Sequence, residues 1–503
     1  MRRDEPNTAL DADASRAGDD PSVRPRLGLG LKLGYAAGAL LDGAATQAVN
    51  IFLFFYVTAV CGAPAALAGV AIAAGLVVDA VVDPLIGSLS DSSRSRWGRR
   101  LPFMLWGAPA TAIFVALIFS LPRGLSGPAL VAWITVLSVC LRVSISLFLL
   151  PYNAVGAELS EDYAERSSIA AWRWGAGMGG ALLAVLLGFG RFFGGPEGLA
   201  KRQAYTPFAI SIGVISLLGA ALAMRALYVM RDRQHPAPVE TGAAHRLFLR
   251  GLGEIFSNPS FRVLFLGAVL LFSALAVHST LGLHANTYFW RLSPKQTQAV
   301  TLALFSGLLL GAPLAGPLLR FLEKRVVLLI GILGLGASLS GPAVLRLLGL
   351  LPLEGDQLVA VLASALFVGG VLMAAAGIAF ASMMADAADE HEYLFGARRE
   401  GLYFAGWAFA SKAAAGLGVV VAGVGLELIG FKSHAAGAAI QTVPAGTVEW
   451  IGILYGPGSG ILALAAAFNC LFYRLDAKSH ATILTSLRAR RDARRQLATE
   501  VVA

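Results

Sequence analysis

The chain has 503 residues, of which 56% are hydrophobic and only 14% are charged, and its mean hydropathy is +0.69. A soluble globular protein carries about 25% charged residues, so this composition excludes an ordinary soluble enzyme and predicts an integral membrane protein. Lys and Arg exceed Asp and Glu by nine, but the excess lies between apolar runs and in the tail. This pattern indicates membrane topology and not nucleic-acid binding.

Twelve apolar runs, each long enough to cross a bilayer as a helix, follow one another along the chain. They predict an all-α membrane protein with twelve transmembrane helices, numbered 1 to 12 in chain order. The runs cover residues 33–60, 66–91, 101–121, 128–158, 168–190, 205–230, 260–289, 296–320, 326–348, 356–386, 401–430 and 449–475.

The polar segments divide the chain into two halves of six helices. The N-terminal segment is polar and lacks the apolar core of a signal peptide, so we expect a disordered tail. The predicted divisions are a cytoplasmic tail at 1–30, an N-terminal six-helix bundle at 31–230, a cytoplasmic linker at 231–258, a C-terminal six-helix bundle at 259–475 and a basic cytoplasmic tail at 476–503.

Arginine and lysine concentrate in the connections on one side of the predicted bundle. The positive-inside rule makes that side cytoplasmic, so both termini of this cell-membrane protein are expected in the cytoplasm. The bias is carried by Arg94, Arg96, Arg99, Arg100, Arg166, Arg231, Arg233, Arg246, Arg250, Lys324, Arg325, Arg398, Arg399, Arg488, Arg490, Arg491, Arg494 and Arg495, and the exceptions are Arg191, Lys201 and Arg202.

Helix 2 carries two carboxylates in the middle of its apolar run, Asp79 and Asp83. A carboxylate at that depth costs roughly 2.5–3.5 kcal/mol on insertion scales. The i, i+4 spacing puts both on one helix face, about 6 Å apart along the axis. Two such charges need a counter-charge, a bound cation or a proton, so they are interpreted as a cation-coupling site. The alternative is a structural pair with an intramembrane base.

Arg142 in helix 4 is the candidate for that base. It lies about nine residues before Pro151, two to three turns inside the helix. A lipid-facing arginine would be costlier than an inward-facing one, so we predict that it points inward and pairs with Asp42, Asp79 or Asp83.

Two short segments of the first half recur in the second half at nearly the same spacing. Asp83–Gly87 corresponds to Ala312–Gly316, and Gly156–Glu158 corresponds to Met384–Asp386. These matches predict a duplicated six-helix unit, the parallel repeat of the major facilitator fold.

Longer motifs point to one family within this fold. They are Asp79-x-x-x-Asp83-Pro84-Leu85-Ile86-Gly87, Ser90-Asp91 and Arg94-Ser95-Arg96-Trp97-Gly98-Arg99-Arg100 in the first half, Glu165-Arg166 with Arg173 on helix 5, and Ala385-Asp386, Asp389, Glu392, Arg398-Arg399-Glu400-Gly401 and Lys412 in the second half. From Leu31 to about Leu475 the chain resembles the glycoside–pentoside–hexuronide:cation symporter family, which includes the melibiose permease. The resemblance implies cation-coupled transport of a sugar or glycoside.

The resemblance also implies roles for particular charged residues. It places the coupling cation on Asp79 and Asp83, a sugar contact on Arg173, and Lys412 between the sugar and cation sites. Asp42 lies near a position that the family uses for substrate. For Arg173 and Lys412 the alternative is an interhelical ion pair.

Aromatic residues and histidines complete the candidate cavity. Tyr152 and Trp407 could offer faces to a sugar ring, although aromatic residues in membrane helices more often serve packing or interfacial anchoring. His278 and His284 on helix 7 either line the cavity or make helix–helix hydrogen bonds.

Charged residues at the cytoplasmic ends of helices 2, 10 and 11 are expected, on the same resemblance, to form salt bridges that hold the cytoplasmic side shut. The alternative is a simple positive-inside loop. These residues are Asp91, Arg94, Arg96, Arg99, Arg100, Asp386, Glu392 and Arg399.

Two positions depart from the melibiose permease pattern. Leu149 stands where that protein has a sugar-binding aspartate, which weakens the case for a galactoside. Val82 stands where it has an amide used for sodium, and a hard cation wants several oxygens. We therefore expect coupling to H⁺ more than to Na⁺.

The sequence predicts a transporter that works as a monomer by alternating access, with a sugar, glycoside or hexuronide as its small-molecule partner. No cofactor, metal site or nucleic-acid partner is expected, and the scattered Cys61, Cys140 and Cys470 support none. The alternatives are a transporter of lysolipid or another amphiphile and a membrane sensor without transport. No Ser/His/Asp set or HExxH motif favours an enzyme.

Overall fold

The computed structural model describes residues 27–230, 253–431 and 443–502, apart from Arg94, Arg96, Glu161, 196–197 and Arg398. The described residues form helices and turns without a strand, which confirms the predicted all-α class. Most of the predicted 1–30 tail and of the 231–258 linker therefore lies outside the described residues.

Twelve helices in the described part of the chain are long and apolar enough to cross a membrane, as the hydropathy pattern predicted. They are α1 (Leu29–Leu53), α2 (Ala65–Ser92), α3 (Leu101–Ile118), α4 (Gly127–Gly156), α5 (Ala164–Phe192), α6 (Arg202–Val229), α7 (Pro259–Phe289), α8 (Pro294–Phe321), α9 (Lys324–Leu347), α10 (Gly355–Phe395), α11 (Glu400–Leu428) and α12 (Ala445–Cys470).

A further helix, α13 (Ala477–Val502), follows the last span. The sequence predicted only a basic tail here, because the apolar residues of this segment are few. One face of α13 packs on the extended end of α10: Leu487 is buried, Arg491 pairs with Glu392 at 2.8 Å, and His480 lies 3.1 Å from Asp389.

The two halves, α1–α6 and α7–α12, share an apolar core at one end only. Phe52 and Tyr205 of the first half pack in one cluster with Leu281 and Ile451 of the second. This is the end that carries the connection between α1 and α2, and we call it the closed end. At the opposite end, which we call the open end, each half has an apolar cluster of its own.

Close packing of α2 against α11 joins the halves from the closed end to the middle of the bundle. A Cβ atom at Gly69 would lie 2.8 Å from the carbonyl oxygen of Val419, so only glycine permits this approach. The Glu427 side chain of α11 accepts a 2.9 Å hydrogen bond from the backbone N–H of Ala66 in the first turn of α2. This contact sets the acidic middle of α2 opposite α11.

Candidate functional site

The two acids of α2 are held by side chains from two other helices. Asp79 is only 5% exposed. Its Oδ1 accepts a 2.6 Å hydrogen bond from Ser146 of α4, and its Oδ2 lies 2.9 Å from the ammonium of Lys412 on α11. Lys412 also contacts Oδ2 of Asp83. One lysine of the second half thus bridges both acids of the first half.

Asp83 is less completely engaged than Asp79. Its Oδ2 contacts Lys412, but its Oδ1 is buried without a hydrogen-bond partner. A buried carboxylate oxygen without a donor is unfavourable unless a proton or cation reaches it. The arrangement therefore leaves one acceptor atom free beside the lysine.

The contacts of Arg142 differ in one respect from the prediction. Its charged neighbours are Asp79, Asp42 and Asp83, so it lies on the inner side of α4 as predicted. No ion pair of 4.0 Å or less joins it to an acid among the described residues, however, and the predicted pairing is wrong for this conformation. Lys412 and Ser146 already hold the oxygen atoms of Asp79 that Arg142 was expected to meet.

Asp42 on α1 belongs to the same electrostatic group. It accepts a 2.8 Å hydrogen bond from Thr46, and Arg142, Asp79 and Lys412 are its charged neighbours. We call this group of five, with three carboxylates and two cations, the charged cluster. With every member ionised it carries one net negative charge, the complement of one bound cation. Its members are Asp42, Asp79, Asp83, Arg142 and Lys412.

Arg173 on α5 lies apart from the charged cluster. It is half-buried, and its Nη1 donates a 2.8 Å hydrogen bond to Oδ1 of Asn153 on α4. No acid within 4.0 Å pairs with it among the described residues, so the interhelical ion pair considered from the sequence is not formed. Most of its five N–H donors are free for another acceptor.

The two aromatic candidates differ in position. Tyr152 is fully buried, stacks on Tyr35 at 4.6 Å and donates its hydroxyl to the Tyr35 carbonyl. It has no accessible ring face, so the prediction that it contacts substrate is wrong for this conformation. Trp407 is half-buried and packs 5.6 Å from Phe380 of α10.

The charged residues predicted as gates pair within their own halves. Arg100 contacts Asp91 at 2.6 Å and Glu158 at 2.8 Å, and Arg99 also contacts Glu158. Two further pairs lie within the second half: Lys324–Asp386 at 2.6 Å and Arg399–Glu254 at 3.1 Å. The gating residues Arg94 and Arg96 lie outside the described residues.

Ser146 and Asn153 were missed by the sequence reasoning. Ser146 lies one turn beyond Arg142 on α4, and Asn153 follows the proline of the same helix. A search for polar side chains on the helix face that carries Arg142 would have found Ser146. Nothing in the local pattern marks Asn153, since its partner Arg173 comes from another helix.

Comparison with known proteins gives consistent matches along the whole chain. Residues 34–477 match the family described as MFS/sugar transport protein. An uncharacterized symporter of Synechocystis is 26% identical over 91% of this chain and 96% of its own length. The isoprimeverose transporter of Lactiplantibacillus pentosus is 25% identical over 85% of each chain, and an Escherichia coli glucuronide carrier protein homolog is 24% identical over 93% and 97%.

Solved structures have the same fold. A D-xylose-proton symporter superposes with a TM-score of 0.60, at 16% identity, over 90% of this chain and 98% of that one. At this identity the likeness shows the fold alone.

Proposed function

Since the chain belongs to the family of MFS/sugar transport proteins, we propose that it is a symporter that uses a cation gradient to move a sugar or glycoside by alternating access. The chain is a multi-pass membrane transporter and not an enzyme. Relatives named symporters support coupling to a cation, and relatives named for isoprimeverose and glucuronide support a sugar-like substrate.

The bridge from Lys412 to Asp79 and Asp83 is the observation that carries this proposal. It joins an acid pair of one half to a cation of the other half, at the middle of the bundle. A coupling cation and the lysine ammonium compete for the same carboxylate oxygens. Binding of the cation to one acid therefore releases Lys412 from that acid, weakens the contact between α2 and α11, and frees an N–H donor for a substrate hydroxyl.

The available oxygens favour H⁺ over Na⁺ as the coupling ion. Both oxygens of Asp79 are already engaged, and Val82 offers no side-chain oxygen. The free Oδ1 of Asp83 suffices for a proton, whereas a hard metal cation needs several oxygen ligands. We therefore assign the coupled proton to Asp83, with Asp79 as the fixed partner of Lys412.

Positive-inside topology puts the open end in the cytoplasm, together with both termini. On this assignment the structure is inward-facing, and Asp79 and Asp83 are both paired with Lys412. The pairing of the gating residues within their own halves fits this state, because pairs across the cytoplasmic side would belong to the outward-facing state. Salt bridges between the halves would then form from Asp91, Arg99, Arg100, Asp386 and Arg399.

Arg173 is the proposed anchor for the substrate. Its described partners are the neutral side chains of Asn153 and Tyr35, which leaves guanidinium donors for hydroxyl, ring or carboxylate oxygens. Lys412, once released, Asp42 and Trp407 would complete a site between the halves.

An amphiphilic substrate is the second candidate, and one observation favours it. A sodium-dependent lysophosphatidylcholine symporter of Xenopus tropicalis is 26% identical over 42% of this chain and 38% of its own. Leu149 also stands where the melibiose permease has its sugar-binding aspartate, which disfavours a galactoside.

A thermal-shift screen of the purified protein distinguishes these candidates. Glycosides, hexuronides and lysolipids would each be tested at acidic and alkaline pH, with and without Na⁺. A ligand that binds the folded state raises the melting temperature by mass action. We expect a glycoside or hexuronide to stabilise more strongly at acidic pH and independently of Na⁺. A response to lysolipids alone would replace the sugar proposal by the amphiphile.

A further inference from the structure

His284 on α7 joins the two halves at the closed end. Its ring is 0% exposed, and its Nε2 lies 3.0 Å from Oγ1 of Thr58, which follows α1. Neither residue has a part in the transport cycle described above. The contact crosses between the halves far from the charged cluster, so it belongs to the closure of this end.

The hydrogen bonds define which nitrogen of His284 carries the proton. The Thr58 hydroxyl donates its one proton to the carbonyl of Phe54 at 2.7 Å. It can therefore only accept from His284, whose Nε2 carries a hydrogen. Nδ1 is buried without a hydrogen bond of normal geometry, although the Thr280 carbonyl lies near the ring one turn back. A neutral imidazole fits this arrangement, because an imidazolium would need a well-placed acceptor at Nδ1 as well.

The surroundings of the His284 ring are mostly apolar and would not stabilise a positive charge on it. Phe54 and Phe55 of the first half lie at ring distances of 5.5 and 5.0 Å, and Phe431 of the second half lies at 5.3 Å. Tyr288 of α7, at 6.4 Å, is the one titratable group in these ring contacts among the described residues. An imidazolium here would have one poorly placed acceptor and no counter-ion, which disfavours the charged form strongly.

We propose that the Thr58–His284 bond is the latch of the closed end, and that the latch forms only while His284 is neutral. Opening of this end, which rests on the proposed alternating access, exposes the ring to water and lets it bind a proton. The open-outward state then binds more protons than the latched state. By linkage, lower pH favours opening, by up to about tenfold per pH unit for one proton.

Such a latch responds to the pH of the compartment from which substrate is taken up. An acidic exterior protonates His284 while the outer end is open and delays its closure until the proton leaves. External acidity would thus keep the outer end open for substrate, through a titratable group separate from Asp79 and Asp83.

Distances between spin labels across the closed end test this latch. Labels at Gly124→Cys and Leu350→Cys, on exposed loops of opposite halves, report opening once the native cysteines are replaced. In the otherwise unchanged labelled protein, we expect the long-distance population to grow as the pH falls. Thr58→Val should raise that population by about fivefold at every pH, the equilibrium shift of one net hydrogen bond, and keep a response to pH.

Substitution of the histidine separates pH sensing from latching. In an Asp83→Asn background, which removes the proposed coupling proton, His284→Gln, and His284→Phe as a second variant that fills the aromatic site, should lose most of the pH response that the Asp83→Asn protein shows. The control is His278→Gln: His278 bonds the Tyr455 carbonyl at 3.2 Å within the second half, so the response should persist. An unchanged pH response in both His284 variants would overturn the sensor, and a Thr58→Val population equal to that of the parent would overturn the latch. Neither readout requires substrate or coupling, so either failure leaves the proposed symport standing.

Discussion

Asp79 and Asp83 lie one turn apart on α2 but have different surroundings. Asp79 is almost fully buried and has a partner at each oxygen, Ser146 and Lys412. Asp83 shares the lysine and keeps one oxygen without a donor. In the proposed mechanism, Asp79 keeps Lys412 at the site, and Asp83 binds the coupled proton.

Asp83→Asn should abolish accumulation of substrate against a gradient and leave a folded protein in the membrane. The amide has nearly the shape of the carboxylate but cannot take up a proton at neutral pH. Uptake into proteoliposomes under an imposed proton gradient measures this, and equilibrium exchange without a gradient shows whether the site still binds. Asp356→Asn, at an exposed acid of α10, is the matched control and should accumulate substrate normally. Concentrative uptake by Asp83→Asn would refute the assignment.

Arg173→Ala should weaken substrate binding by about tenfold to a hundredfold, the range for loss of a charge-assisted hydrogen bond. Because its described partners, Asn153 and Tyr35, are neutral, removal of the guanidinium leaves no buried charge unpaired. The melting temperature of the ligand-free protein should therefore change little. Binding isotherms measure the affinity. Loss of folding together with unchanged affinity in the surviving protein would instead show a structural arginine.

At the scale of elements, the packing of α2 on α11 decides whether Lys412 reaches the acids. Small residues let the backbones touch, and Gly423 of α11 lies against Gly69 and Ala65 of α2. Such close approach is typical of membrane helices, which gain little from the hydrophobic effect between them. The ion bridge and the glycine contact therefore belong to one interface.

Gly423→Val should push α11 away from α2 and destabilise the observed state, which is shut at the closed end, by about 1–3 kcal/mol, as overpacking does. A label pair at the closed end should then report a larger open population. Gly341→Val on α9 is the control, since a Cβ there meets nothing within 4 Å. Equal effects of the two substitutions would contradict the role of this interface.

Lys412→Ala should let cations bind the acid pair without competition. The formal charge of the charged cluster would change from one negative to two, so Na⁺ should raise the melting temperature of the variant more than that of the unaltered protein. Lys295→Ala, at an exposed lysine near the closed end, should leave the Na⁺ effect as it was. A cation effect equal in all three proteins would rule out competition.

The positions of the helices could be predicted from the sequence, whereas the side-chain contacts between helices could not. Hydropathy alone located every span, and the cost of Asp79 and Asp83 in lipid marked the site. Lys412 is separated from Asp83 by 329 residues, and no local pattern could show that it, and not Arg142, makes the ion pair. The prediction that Tyr152 contacts substrate was wrong for the same reason, because its burial depends on how α1 packs against α4.

The whole molecule has one end sealed by an apolar core common to both halves and the other end divided. In alternating access each state is closed at one end and open at the other, so this asymmetry is expected of one such state. The charged cluster lies where the sealed region ends, so neutralising its net charge changes the strength of the contact between the halves there. In the proposed symport, coupling then follows from linkage: the cation and the substrate each stabilise the state that binds the other.

Uptake driven by one gradient at a time shows whether H⁺ or Na⁺ is the coupling ion. Proteoliposomes would be given the ligand found by thermal shift, with either a proton gradient in Na⁺-free medium or a Na⁺ gradient at equal pH on both sides. We expect transient accumulation with the proton gradient, its loss with a protonophore, and no accumulation with Na⁺ alone. Strict dependence on Na⁺ at constant pH, with no uptake driven by protons, would contradict this expectation.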